Sequence, residues 1–224
     1  MRFQDAAPDA RAVVYAGIQA DPLVGRLAGL LEDATSAERW MARAVMNGER
    51  TEADVWRRMF PRLFVGGADP AGRDRAEAIL AASLDVANRG ESSRQQYRGA
   101  AVEELTQRLL ARRAAGRSPV RRERRVLFDG VRAEIHPYDV TVESPDRPEV
   151  YDCKWGARGI NADVLNQLDD ARSHAADEDT ALDVALVVLD ARRSCELRLA
   201  RSTSRHDLTG LVALEDLDVL ANPK

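Results

Sequence analysis

Lysine is almost missing from this chain. Of its 33 basic residues only Lys154 and Lys224 are lysines, and the other 31 are arginine. GC-rich coding produces such a bias, with arginine used wherever a surface cation suffices. A lysine kept at position 154 then suggests a task for which a bulky guanidinium is unsuited and a compact, pKa-adjustable ammonium is suited. Cysteine is as scarce: Cys153 and Cys195 are too few for a disulfide framework or a cysteine-rich zinc site. His136, His174 and His206 lack zinc-like spacing and read as surface or capping residues, although His136 is near enough to Asp139 to touch a substrate. No apolar run approaches about 18 residues, so no membrane span is expected. The segment MRFQDAAPDARAVVYAG lacks the long apolar core of a secretory signal. A cytoplasmic protein away from membranes is the expectation. The net charge of −4 excludes a uniformly basic nucleic-acid coat but leaves local patches open.

What is present suits one large domain, or a core domain with a helical extension: 224 residues, 45% hydrophobic and 31% charged. Helical periodicity predicts helices over Ala10–Ala20, Leu23–Asp33, Ser36–Asn47, Glu52–Phe60 and Arg73–Asn88. Breaks fall at Asp21-Pro22, Asn47-Gly48, Pro61 and Val65–Pro70. Thr35 or Ser36 with Glu38, and Thr51 with Asp54, are candidate helix starts. Trp40, Met41, Trp56, Met59 and Phe60 read as a helical-bundle core rather than a ligand pocket. A long helix over Ser93–Arg113 follows, and Ala114–Pro119 ends it.

Beyond it the pattern turns to strands. Arg125–Phe128 and Val131–Ile135 flank the turn signal Asp129-Gly130, and Tyr138–Glu143 and Glu149–Trp155 flank Ser144–Pro148. A helix fits Asn161–Ala176, and Leu182–Leu189 is the most apolar strand. A helix over Arg192–Arg201, a strand near Leu211–Leu214 and a helix over Glu215–Ala221 complete the order. The expected fold class is α/β, with a mixed central sheet flanked by helices and an N-terminal all-α region. The expected domains are residues 1–90, helical, and residues 91–224, which carry the sheet.

Two of these strands carry chemistry. Alternation puts Asp139 and Thr141 on one face of their strand, and Asp152 and Lys154 on one face of the next. If the strands lie antiparallel, two carboxylates and an ammonium converge at one sheet edge. Carboxylates with water suit Mg²⁺, which takes hard oxygen ligands and recruits substrate phosphate to complete its octahedron.

An acid at a strand start, a turn, and acid-any-Lys on the next strand resembles the restriction-endonuclease-like, or PD-(D/E)xK, nuclease superfamily. Asp139 takes the first place, and Asp152-Cys153-Lys154 follows thirteen positions on. Pro137 stands one residue further from the acid than in the family pattern. The resemblance covers roughly residues 93–220. It extends to the preceding helix, where Gly99 with Glu103 matches a glycine-spaced glutamate. The apolar stripe of Val102, Leu105 and Leu109 passes closer to Glu103 than to Glu104, which stays in reserve. It extends also to Val164–Leu168, where Gln167-Leu168 looks like the Gln-Leu element of some nuclease branches, with Val164 where those have an aromatic.

The resemblance implies a restriction-endonuclease-like fold and Mg²⁺-dependent hydrolysis of phosphodiesters, with Mn²⁺ able to substitute. Asp139, Asp152 and the Cys153 carbonyl would hold the metal, with Glu103 acting through water or on a second ion. Lys154 would orient the attacking water, and Gln167 would support the site. DNA is favoured over RNA, and a restriction or antiphage-defence effector fits.

Seven arginines, including Arg117, Arg121, Arg122, Arg124 and Arg125, fall within Arg112–Arg125 against one acid, Glu123. Two readings stand: a track for a phosphate backbone, or a solvated arginine-rich connector. Cys153, on the face away from Asp152, reads as a small buried residue. Residues 1–90 suit a protein partner or substrate placement, and a homo-oligomer is compatible with the pattern. The functional alternatives are a catalytically silent nucleic-acid-binding module of the same fold and a helical adaptor subunit of a multiprotein complex.

Overall fold

The structure is a computed structural model that describes residues 1–6, 10–65, 69–132, 136–201 and 210–222. The chain divides into two units, Ala10–Leu105 and Met1–Asp9 together with Thr106–Lys224. The division falls inside one helix, later in the chain than the expected boundary near residue 90, and the first residues belong with the sheet.

The chain opens with β1 (Arg2–Asp5) and then enters helices α1 (Ala10–Gln19), α2 (Pro22–Glu32) and α3 (Ser36–Asn47). Next come α4 (Ala53–Met59), α5 (Pro61–Phe64), α6 (Pro70–Ala87) and α7 (Glu91–Ala114). Local chemistry sets these starts. Asp21 caps α2 and Asp69 caps α6, each with proline in the first turn. The second of these starts α6 earlier than periodicity alone indicates. Thr35 and Glu38 form a reciprocal capping box on α3. Thr51 is not a cap: Glu52 precedes α4 and makes no side-chain cap bond.

In the helical unit α6 packs on α2 and α3, burying Leu27, Leu31, Met41, Val45, Met46, Ile79 and Leu80. Trp56 is buried as well, whereas Met59 is 59% exposed and stands outside the expected aromatic–methionine cluster. Glu38 is buried and receives two bonds from Arg75, so its charge is paired inside the bundle.

The sheet unit continues with β2 (Val120–Phe128), β3 (Val131–Arg132), β4 (Tyr138–Val142) and β5 (Glu149–Lys154). A 3-10 turn at Ala157–Gly159 leads to α8 (Ala162–Asp177), β6 (Asp183–Val188), α9 (Arg192–Leu199) and β7 (Leu211–Ala213). The final segment, Leu214–Leu220, is 3-10 rather than α. The strands form one mixed sheet in the order β1-β2-β4-β5-β6-β7, with β3 paired to β2. The pairs β5–β6 and β6–β7 are parallel and the others antiparallel. This is an α/β fold with helices flanking a mixed sheet. One core packs Val150, Val184, Leu186 and Val188 against Leu165, Leu168 and Ala171 of α8 and Cys195 and Leu199 of α9. The expected strand end at 133–135 and His206 lie outside the described residues. Among the described residues no helix is long and apolar enough to cross a membrane.

Candidate active site

The site is built at the end of β5, a central strand flanked by antiparallel β4 and parallel β6. Pro145 and Pro148 bound the short connector, and the β4–β5 ladder pairs Val142 with Glu149, Thr141 with Val150 and Val140 with Tyr151. Continued by one residue, this register sets Asp139 opposite Asp152. On the other side of β4, the ladder with β2 pairs Arg122 with Val140 and Arg124 with Tyr138, passing over Glu123. Glu123 has φ +54°, a left-handed backbone that non-glycine residues seldom adopt. Regular pairing is therefore interrupted beside Asp139.

Three side chains meet here. Asp139 Oδ2 accepts the Cys153 N–H at 2.5 Å and lies 4.0 Å from Lys154 Nζ. Asp152 Oδ1 forms an ion pair with the same ammonium. That oxygen is out of solvent and receives no hydrogen bond of regular geometry, so Lys154 is the cation that balances it. Lys154 keeps a quarter of its side chain exposed, leaving the site open to a ligand.

Burial pulls the Lys154 pKa down, but the charges of Asp139 and Asp152 and the contact with Asp152 outweigh it, and the net direction is upward. The ammonium therefore stays charged throughout the neutral range. A lysine whose pKa is raised by folding contributes stability that is complete below the ordinary value of about 10.4. That stability is lost as pH rises through the raised value. Because the chain has two lysines, ¹³Cε-lysine labelling yields two signals, and Lys154→Arg identifies one by deleting it. Lys154 should titrate above the ordinary lysine value, and Asp139→Asn should bring its midpoint down. A Lys154 midpoint at or below the ordinary value would contradict the arrangement.

Other expected site residues fall in distinct places. Gln167 is buried and donates from Nε2 to the His136 carbonyl at 3.1 Å, while the Tyr138 hydroxyl donates to the Gln167 carbonyl at 3.3 Å. It thus fastens the approach to β4, immediately before Asp139, to α8. Cys153 is buried, with Sγ 3.5 Å from Thr106 Oγ1 of α7. Glu103 belongs to the helical unit, where Oε1 accepts from Tyr15 Oη at 2.6 Å and Oε2 from Gln19 Nε2 at 2.8 Å. A Cβ at Gly99 would lie 2.9 Å from that tyrosine oxygen, so the glycine spacing has a local cause: it admits the Tyr15 hydroxyl to Glu103. Glu104 is the less buried of the two glutamates.

The arginine cluster is divided between strand and connector, with Arg117 in the segment between α7 and β2. Arg121, Arg122, Arg124 and Arg125 lie on β2, between β1 and β4. Arg124 is committed to Glu143 and Asp5, and Arg117 turns back to the carbonyls of Arg113 and Ala114. Arg121 is the exposed member on the strand.

Asp139 and Asp152 are hard oxygen donors of the type a divalent cation takes, and here both face the Lys154 ammonium. Among the described residues no cluster of three or more His, Cys, Asp or Glu side chains is placed to hold a metal. Mg²⁺ tolerates such a sparse set because it keeps several waters and adds substrate phosphate.

No protein-family model matches the sequence, and no curated protein is similar to it. Among solved structures, the crystal structure of protein VC1899 from Vibrio cholerae is similar at a TM-score of 0.48 and 16% identity. The likeness covers 98% of this chain and 56% of that one, so the chain spans little more than half of the other's length. Nothing about activity follows from a likeness of this degree.

Proposed function

We propose that this chain is a divalent-metal-dependent nuclease that hydrolyses phosphodiester bonds, with DNA as the first substrate to test. The observation that supports the reading is the convergence of Asp139 and Asp152 on the Lys154 ammonium at the end of β5. Asp139 and Asp152 would hold Mg²⁺ through their carboxylate oxygens. When bound, the ion supplies Lewis-acid stabilisation of phosphate charge and a lowered pKa for coordinated water.

The chain's own residues supply the rest. Lys154, charged at neutral pH, donates a proton-bearing edge rather than accepting a proton, so it orients an attacking water and stabilises charge on a phosphate oxygen. It does not serve as the general base in this state. The Cys153 amide fixes one oxygen of Asp139. Gln167 keeps the segment before β4 in place, and with it the direction of Asp139. The reading rests on the sheet unit alone.

Cleavage of single- and double-stranded DNA and RNA in Mg²⁺, Mn²⁺ and EDTA tests it. Metal-dependent cleavage of at least one substrate, abolished by EDTA, is the expected result. Cleavage unaffected by EDTA would remove the metal from the mechanism. Binding of nucleic acid without cleavage in either metal would favour the silent module instead.

A further inference from the structure

The turn after β5 has a role that the acid-any-Lys pattern does not contain. A Cβ built on Gly159 would lie 3.0 Å from Lys154 Cδ and 3.2 Å from both its Cβ and Cγ. Gly159 is not among the residues with positive φ, so its lack of a side chain answers a need for space rather than for backbone conformation. The lysine stem occupies the space that a side chain at position 159 would take.

The turn itself is held from several sides. Gly159 N–H donates to the Gly156 carbonyl at 2.8 Å and Ile160 N–H to the Ala157 carbonyl at 3.1 Å. Ala157 N–H donates to Asp190 Oδ2 at 3.0 Å, and the other oxygen of this buried aspartate accepts from Ala191 N–H at 2.8 Å. Arg198 Nε donates to the Ile160 carbonyl at 2.9 Å, and Ile160 is buried in the core. At the root of the lysine, its own carbonyl accepts from Leu189 N–H at 2.9 Å. A lysine stem normally samples many rotamers. Here its backbone is fixed and one side of its stem is closed by an anchored turn, and its ammonium rests at Asp139 and Asp152.

We propose that Gly159 is a positioning residue for Lys154, with the turn Ala157–Gly159, braced by Asp190, as the wall that directs the ammonium to the two carboxylates. Its consequence for catalysis rests on the nuclease reading, whereas the positioning itself does not. A methyl group at this position forces the stem to move, because the glycine backbone is tied at both ends of the turn and cannot recede.

The test uses the full chain and two readouts independent of cleavage. In ¹³Cε-lysine spectra, Gly159→Ala should shift the Lys154 signal. In thermal unfolding, Gly159→Ala should lower the Tm more when Lys154 is present than in a Lys154→Ala background, where the contacts with Cγ and Cδ are gone and only the 3.2 Å contact with Cβ remains. Gly159→Val should enlarge both effects; if it does not fold, the alanine variant carries the comparison. An unmoved Lys154 signal in Gly159→Ala, or an equal loss of Tm in both backgrounds, overturns the proposal. With an active wild type, kcat should fall at least tenfold while KM changes little. A shifted Lys154 signal in a chain that cleaves nothing would sustain the positioning and sink the nuclease reading. Full cleavage with an unmoved signal would do the reverse.

Discussion

Asp152→Asn should lose metal-dependent cleavage by about 10²–10⁴-fold, the range typical of removing a group that acts directly on proton transfer or the attacking water. The substitution is nearly isosteric, so the β5 backbone and its parallel ladder with β6 have no steric reason to change. What it removes is charge. A neutral amide oxygen is a far poorer Mg²⁺ ligand than a carboxylate, and with two carboxylates in the site, losing one halves the anionic donor set. The Lys154 ammonium also loses its closest counter-charge, so its titration midpoint should fall in the same variant. A kinetic assay in Mg²⁺ with the two-lysine spectrum run alongside checks both. Activity within a few-fold of wild type would exclude Asp152 as a ligand.

Lys154→Arg should cost about as much, roughly 10²–10⁴-fold, while keeping the fold and the formal charge. The reason is shape. Guanidinium is a planar fork that reaches further and engages carboxylates two oxygens at a time, whereas ammonium is a compact donor. Beside Asp152 the fork would lock onto the carboxylate that the metal needs. The stem runs past Gly159, where even an added methyl carbon would lie 3.0–3.2 Å from its Cβ, Cγ and Cδ, so it has little room to shift toward that turn. Cleavage by Lys154→Arg at the wild-type rate would reduce the rarity of lysine in this chain to a codon accident.

Much of the architecture was legible in the sequence because it is written in local signals. The helices begin where Asp21, Thr35, Asp69 and Asn161 offer capping oxygens. The central strands follow from short apolar alternation bounded by turn residues. Strand β1 was not legible: its apolar alternation is only Met1 and Phe3, too short to read, and it is an edge strand held by backbone pairing to β2, by packing of those two residues on the core and by the ion pair of Asp5 with Arg124. The early start of β2 was hidden for a related reason, since four arginines in Val120–Phe128 read as solvated chain until their partners on neighbouring strands are known.

At the site, strand parity brought Asp139, Asp152 and Lys154 together on paper, since period-2 alternation is enforced by the backbone itself. Gly159, Asp190 and the left-handed Glu123 were not found. Their roles depend on register and on contacts between distant segments, such as Ala157 with Asp190 across thirty-three positions. The only hints were small residues just after Trp155 and a lone aspartate directly after the most apolar strand. Periodicity points to Glu103 as the more buried of two adjacent glutamates, but not to Tyr15 and Gln19, its partners, which lie more than eighty residues away.

The most direct measurement is a Mg²⁺ titration of the ¹³Cε-lysine-labelled chain, read at the Lys154 signal with Lys224 as internal reference. A divalent cation on Asp139 and Asp152 takes over the charge that now holds the ammonium. Saturable movement of the Lys154 signal is therefore predicted, with a lowered titration midpoint, and neither change should occur in Asp152→Asn. A Lys154 signal that stays in place up to Mg²⁺ concentrations far above those of a cell, or that moves equally in Asp152→Asn, would contradict a metal site at these carboxylates.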